Sequence, residues 1–456
     1  MALWQPQPGP QTLLIACPVE DVLFGGARGG GKTFGLLGDF LVYALRYGGA
    51  AKGILFRRTY PELEEIERVA HEIYKPGGGS WLASSRTWIW YSGAQLKFRY
   101  MQREEDASNY QGHSFSWIGW DEITNWASPR GINKLRATLR SSSGIPCRWR
   151  VSGNPGGVGH NWVKQAYIDP APPFVPFRDP ISQISRLYIP ATLDDNQILV
   201  RNDPDYWKRV TEAAAGREDL LKAWRDGSWD IVAGGMFDDI WDEKIHVLEP
   251  FRIPCAWRVD RTFDWGSSKP FSVQWWAESD GTDAPGGRRY PRGTLFHIAE
   301  WYGWTGKANE GVKLTDHEIA KGIKDTESQL MGRLIETVPL SGPADLPPGQ
   351  PGAVSMADNM ARMGVRWEPI RGTNRITGWQ IIRKMLLAAR KGNPEEPGLY
   401  VFSTCRQFIR TVSVLPRSER NPDDADTEAE DHAADACRYR VMAQRRQVRV
   451  VKVSGL

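Results

Sequence analysis

Over residues 1–190 short apolar runs alternate with longer helical stretches. DVLFGG, KGILFRR, QLKFRYM, SWIGWDE and RWRVSGN read as strands, and KTFGLLGDFLVYALRY reads as a helix between the first two. This alternation predicts α/β architecture around a mostly parallel sheet. DPAPPFVPFRDP (169–180) predicts a proline-rich surface loop. Over 203–226 the pattern turns helical, with Tyr206, Trp207, Val210, Leu220, Leu221 and Trp224 as packing positions, and the glycines of GSWDIVAGGMFDD then break it. A domain boundary is therefore expected near 227–250.

Beyond that point the order changes. AWRVDRTFDWG, FSVQWWAES and TLFHIAEWYG, separated by turn-rich segments, predict an antiparallel three-stranded meander. Thr315 and Glu318 form a T-x-x-E capping box ahead of a helix with Ile319, Ile323, Leu330 and Leu334 on one face. Strand-like ETVPLSGPAD, VRWEPI and LYVFST, with helical TGWQIIRKMLLAARKG and EAEDHAADACRYRVMAQ, complete a second α/β domain. No internal repeat is visible.

Composition narrows the class. At 456 residues, with 41% hydrophobic and 25% charged residues, the chain suits two or three globular domains. No apolar run reaches membrane-spanning length, and MALWQPQPGPQ lacks the basic and apolar regions of a signal peptide, so a soluble intracellular protein is expected. A net charge of +4 is too small to argue for nucleic acid by itself. The cysteines Cys17, Cys147, Cys255, Cys405 and Cys437 are widely spaced without a CxxC pair, which predicts neither a disulfide framework nor a zinc site. Most of the 21 tryptophans fall in strand-like runs such as WIWY and VQWWA, where they read as core packing rather than base stacking.

Gly26-Ala27-Arg28-Gly29-Gly30-Gly31-Lys32-Thr33 fits G-x-x-x-x-G-K-[ST] between an apolar strand and the helix it opens. Glycines let successive backbone N–H groups converge on phosphate oxygens, and the helix N-terminus adds partial positive charge. Lys32 then reaches the β- and γ-phosphates and Thr33 holds Mg2+. Arg28 suits either charge stabilisation on the transferring phosphoryl group or a surface ion pair. The strand through Trp120 ends in two acids, Asp121 for the magnesium shell and Glu122 as the base that activates water. RWRVSGN ends in Ser152-Gly153-Asn154, where Asn154 serves as a γ-phosphate sensor or as an ordinary turn residue.

A second set of acids lies in the latter half. Asp264 ends RTFDWG, Asp345 follows ETVPLSGPA, and Asp431 and Asp435 sit four apart on one face of the C-terminal helix. Carboxylates from separate elements are what two Mg2+ or Mn2+ ions need for in-line attack on a phosphodiester. Each acid also has a bland alternative, a Trp-Gly turn after Asp264, Leu-Pro-Pro after Asp345, and for Asp431 the run Asp423, Asp424, Asp426, Glu428, Glu430, which reads as solvated. Asp358 competes with Asp345, but Ser355 three residues before it makes it a helix cap.

GGARGGGKT, WIGWDEIT, SGNPGG, TFDWG, SGPAD and EDHAADACRY, in this order, resemble the large terminase subunit of tailed double-stranded DNA bacteriophages, from Gln11 to about Tyr439. The resemblance implies a P-loop NTPase domain of RecA/ASCE type (1–190), a lid or linker (191–249), an RNase H-like nuclease domain (250–440) and a basic C-terminal tail (441–456). It implies an ATPase with Mg2+ that drives double-stranded DNA into a procapsid and a nuclease that cuts concatemers with two Mg2+ or Mn2+ ions. Lys32 and Thr33 then match the Walker A pair, Arg28 its embedded arginine, Asp121 and Glu122 the Walker B acids, and Ser152, Gly153 and Asn154 the coupling motif. Asp264, Asp345 and Asp431 match the metal triad, Asp435 is a nearby fourth acid, and Gln11 looks like the adenine-reading glutamine. ATP closure around Lys32, Arg28 and Glu122 is expected to shift residues 191–232.

Implied partners are the portal protein, the small terminase subunit and further copies in a ring, in the host cytoplasm and away from membranes. A trans-acting arginine is expected, with Arg103, Arg130, Arg136 and Arg140 as options. The basic stretch Arg438–Lys452, with Arg440, Arg445, Arg446 and Arg449, suits DNA phosphate, the portal or plain solvent. A different class stays open: a P-loop helicase or remodelling ATPase whose second domain is a non-catalytic platform.

Overall fold

A computed structural model describes residues 4–213, 221, 225–229, 235–347, 354–370, 374–418 and 420–443. Contacts divide the chain into two units, Met1–Asp238 and Asp239–Leu456, a boundary inside the predicted glycine-rich break. Among the described residues no helix is long and apolar enough to cross a membrane. All five cysteines are free.

In the first unit the apolar runs become β1 (Asp21–Gly26), β2 (Lys52–Arg57), β3 (Gly79–Leu82), β4 (Thr87–Trp90), β5 (Gln95–Tyr100), β6 (Trp117–Trp120), β7 (Arg148–Gly153), β8 (Phe177–Arg178) and β9 (Ser185–Ala191). They form one sheet of order β3-β4-β5-β2-β6-β7-β1-β9-β8. Pairings from β5 through β9 are parallel, and antiparallel pairing is confined to the two edges. All six residues of β1 are buried, as a central strand of a parallel sheet with both faces covered requires. The helices Lys32–Tyr47 and Tyr60–Tyr74 cover one side, packing Leu36, Phe40, Ile66 and Ile73 against Trp88, Trp90 and Trp117. These tryptophans are core residues, as their sequence runs predict. Because β7 lies between β1 and β6, the carboxyl ends of the three strands bring the phosphate loop, Asn154 and the Asp121-Glu122 pair side by side.

The second unit holds β10 (Val247–Leu248), β11 (Arg258–Asp264), β12 (Ser272–Glu278), β13 (Leu295–Tyr302), β14 (Pro343–Asp345), β15 (Glu368–Pro369) and β16 (Leu399–Phe402), in the order β10-β16-β13-β12-β11-β14-β15. The β11-β12-β13 meander is antiparallel as predicted, and β14 and β16 join it in parallel. Only Pro343–Asp345 of ETVPLSGPAD is a strand; Pro339 has no N–H to donate to a ladder, and Leu340 makes only an isolated parallel bridge to Asp260. Gly342, just before β14, leaves no room for a Cβ against the Arg261 carbonyl of β11.

Local signals at helix ends are met closely. Thr315 and Glu318 form the reciprocal capping box of the helix Asp316–Leu330, with Ile319 and Ile323 buried; the helix stops at Leu330, so Leu334 lies beyond it. Ser355 and Asp358 form a second box, which explains Asp358 without chemistry. Two expectations are corrected. Asp431 is the N-cap of the helix His432–Met442 rather than a residue on its face, and its side chain makes no capping hydrogen bond. Arg438 and Arg440 belong to that buried helix, not to a tail: Arg440 Nε donates to Asp260 Oδ1 over 2.6 Å and Nη2 to Glu278 Oε2 over 3.0 Å. Arg445, Arg446, Arg449 and Lys452, like Leu220 and Trp224, lie outside the described residues.

Candidate functional site

The phosphate loop leaves β1 and turns into the helix at Lys32 with Gly26, Gly29 and Gly31 at φ 125°, 77° and 69°, angles that residues with a Cβ rarely adopt. Lys32 is buried and its ammonium donates to the Ala27 carbonyl, with burial lowering its pKa. Thr33 Oγ1 donates to Asp121 Oδ2 over 3.3 Å. Asp121 also accepts Arg57 Nε at 2.8 Å and the hydroxyl of Ser152. Glu122 stands next to it at φ 56°, a left-handed conformation uncommon for a residue with a side chain. Both its carboxylate oxygens accept from Asn154 Nδ2, at 3.1 and 3.0 Å, while Asn154 Oδ1 is buried without a partner. Burial first, and then the charge of Asp121, raises the Glu122 pKa.

The loop is gripped from outside. Gln11 Nε2 donates to the Gly31 carbonyl over 2.9 Å and its Oε1 accepts from the Gln7 N–H, so Gln11 is seated on the loop itself. Asn196 Nδ2 donates to the Gly29 carbonyl over 2.6 Å. Leu193, Leu199 and Tyr206 flank Gly29, with Gly30 against Ala191. Gly227, at φ 67°, presses on the loop so closely that a Cβ there would lie 2.5 Å from the Ala27 nitrogen. Arg28 is exposed. Arg136 is ion-paired at 2.8 Å to the buried Asp21, a structural role that removes it from the trans-acting options.

In the second unit a cleft of about 910 Å3 is lined by Asp264, Asp345, Asp431 and Asp435 together with Lys269 and Tyr439. Parallel register places Asp264 opposite Asp345. Tyr439 Oη lies 3.2 Å from Asp264 Oδ1 and 3.2 Å from Asp345 Oδ2, tying the strand tips together. Asp264, Asp431 and Asp435 are buried, whereas Asp345 is exposed. His432 Nδ1 is 2.9 Å from Asp264 Oδ2, and its Nε2 is buried without a partner. Burial and the neighbouring Asp435 push Asp431 up to about 7. Burial opposes the His432 imidazolium, but the hydrogen bond and charge of Asp264 outweigh it and raise its pKa.

Arg375 enters the same cluster. Its Nη1 donates to Asp435 Oδ2 over 2.8 Å, its Nη2 to Asp431 Oδ2 over 3.4 Å and its Nε to Asp424 Oδ1 over 3.0 Å. Asp424 is thus a partner of Arg375 and of the Trp379 indole, and buried Glu430 pairs with Arg410, so the acidic run is not simply solvated. All four acids line one cleft, and their oxygens are the hard donors that Mg2+ or Mn2+ prefers. Among the described residues, however, no three acid, His or Cys side chains stand in a preformed cation cage.

Residues 23–244 match the family model described as terminase large subunit, T4likevirus-type, N-terminal. Over these residues, just under half of the chain, it is similar to the large-terminase family. Similar solved structures include the large terminase of a thermophilic bacteriophage in complex with ADP (16% identity, 95% of this chain and 98% of that one, TM-score 0.40). The HK97 bacteriophage large terminase aligns at 10% identity over 96% and 95% with a TM-score of 0.44. The nuclease domain of the P22 large terminase aligns at 17% identity over 46% of this chain and 93% of its own, with a TM-score of 0.33. No curated protein matches the chain.

Sequence reasoning missed several groups around these sites. Arg57 reaches Asp121 from 64 positions away, and Asn196 and Gly227 reach the loop from beyond β9; no spacing rule links them. Tyr439 carries a usable signal, four positions after Asp435 on one helix face, as does His432 beside Asp431.

Proposed function

We propose that this terminase is a packaging motor that hydrolyses ATP to drive double-stranded DNA into a procapsid and cuts concatemeric DNA with its second unit. The observation that carries the motor half is the facing of Thr33 and Asp121, 3.3 Å apart at the mouth of the phosphate loop, beside Lys32 and the Asn154-held Glu122. The loop N–H groups and Lys32 bind the phosphates of ATP, Thr33 and Asp121 hold the Mg2+ shell, and Glu122 takes a proton from the attacking water. Mg2+ held there would supply charge neutralisation on the phosphates. Arg28 adds positive charge at the γ-phosphate. Asn154, bonded to Glu122, relays γ-phosphate loss along β7. The contacts of Leu193, Leu199, Tyr206 and Gly227 support a role for 191–232 as the element that responds to nucleotide.

In the nuclease half, Asp264, Asp345 and Asp431, with Asp435, are the residues that would hold two Mg2+ or Mn2+ ions. Bound there, such ions would supply activation of water and charge stabilisation of the leaving oxygen. Asp264 and Asp345 supply the strand-tip pair, and Tyr439 orients both. DNA is held through backbone charge rather than base identity, as translocation requires. A ring of copies on the portal, a small terminase partner and action in the host cytoplasm complete the reading. Gln11, whose amide donates to the Gly31 carbonyl, is the residue that would read the adenine.

A second reading, an ATPase whose second unit is only a DNA-binding or assembly platform, is favoured by the guanidiniums already bound to Asp435. Two assays separate them. Asp264→Ala is expected to abolish Mn2+-dependent cleavage of plasmid while leaving DNA-stimulated ATPase intact. Cleavage that persists in the variant overturns the nuclease half, and full ATPase in Glu122→Ala overturns the motor half.

A further inference from the structure

The proposed reaction makes no use of Trp265. Of the 21 tryptophans in the chain, it is the only one among the described residues that is exposed, at 39%. Its main chain is fixed, because Asp264 precedes it at the tip of β11 and its own N–H donates to the Asp345 carbonyl over 3.2 Å. The indole lines the acidic cleft together with Lys269, Leu346, Pro347 and Ile370. The cleft thus has two kinds of wall, carboxylates on one part and apolar side chains on another.

An indole left in water beside phosphodiester-cutting acids has an obvious use. Nucleobases stack on aromatic side chains whatever their identity, so such a platform adds affinity without reading sequence. In a regular duplex, however, base faces are covered by their neighbours. A ring fixed to a strand tip reaches one only where a step is pried open or a base is unpaired. Lys269, whose ammonium donates to the Thr427 carbonyl over 3.1 Å, adds positive charge for the adjoining phosphate.

We propose that Trp265 is a substrate-positioning residue that stacks on an unpaired or unstacked nucleobase next to the scissile phosphodiester, so that the cleft selects locally opened DNA over regular duplex. This rests on the nuclease reading for the cleavage step but not for the binding step. One stacked base is worth roughly five- to a hundredfold in binding.

The test uses the full chain, without divalent ions for binding and with Mn2+ for cleavage. The probes are a regular duplex and the same duplex with a short central mismatch bubble carrying 2-aminopurine. Wild type is expected to bind the bubble about tenfold more tightly than the duplex and to quench the 2-aminopurine. Trp265→Leu is expected to lose both effects and to raise KM for bubble cleavage with little change in kcat, and Trp265→Phe to retain part of each. Equal bubble-to-duplex ratios in wild type and Trp265→Leu overturn the inference. If wild type binds with the expected preference but cuts neither DNA, the nuclease reading fails while the stacking platform stands.

Discussion

Arg375 and Arg438 together occupy both carboxylate oxygens of Asp435, at 2.8 Å on Oδ2 and 2.9 Å on Oδ1. Asp431 holds only the longer contact to Arg375, at 3.4 Å. A divalent ion approaching this pair therefore competes with a guanidinium. Arg375→Ala is expected to lower the metal-free Tm, since losing such a partner costs roughly 1–3 kcal/mol, and to enlarge the rise in Tm on adding Mn2+. A Mn2+ response equal to that of wild type would show that the cation and the guanidinium do not share the site.

Glu122 must be ionised to accept a proton from water. Its pKa is raised by burial and by Asp121, so the acid limb of the ATPase kcat profile is expected above the ordinary carboxylate range, with activity lost as pH falls through it. Glu122→Gln is expected to reduce kcat by about 10²- to 10⁴-fold while ATP still binds. Steady-state rates across pH, with nucleotide binding measured separately, decide the point. An acid limb at the usual carboxylate value would assign the base elsewhere.

Gly227 combines φ 67° with contact against Gly26 and Ala27. Gly227→Ala is expected to cost roughly 1–3 kcal/mol in backbone strain, seen as a lower Tm and weaker ATP binding together. Unaltered ATP affinity in a destabilised variant would separate this segment from the loop.

Glu300 accepts from the Gln407 N–H at 2.6 Å and the Phe408 N–H at 3.0 Å, yet burial pushes its carboxyl up to about 7 from an ordinary 4.5. With the folded value above the unfolded one, its contribution is full below 4.5 and is lost as pH rises through about 7. Glu300→Gln is expected to flatten the fall in Tm between pH 4.5 and about 7. The same slope in both proteins would rule this group out as its source.

Much of the candidate site around the phosphate loop was legible because its chemistry is local. The phosphate loop, the Asp121-Glu122 pair and Asn154 each end or follow an apolar run, and sheet order then sets them side by side. The capping boxes at Thr315 and Ser355 were equally readable, since their partners lie three residues apart. Contacts across long separations were not. Arg375 meets Asp435 from 60 positions away, and nothing around either residue announces the other. Patterning also overstated the strand before Asp345, because alternation counts apolar residues and ignores the missing N–H of Pro339.

Of these features, the bare α-carbon of Gly342 reaches furthest. The strand carrying Asp345 is three residues long, lies between β11 and β15, and sits flush with β11 only because nothing projects at 342. A single methyl there would wedge the two chains apart and part Asp345 from Asp264 with every acidic side chain still in the sequence. The pairing of these two acids can be undone at a residue that has no functional group at all.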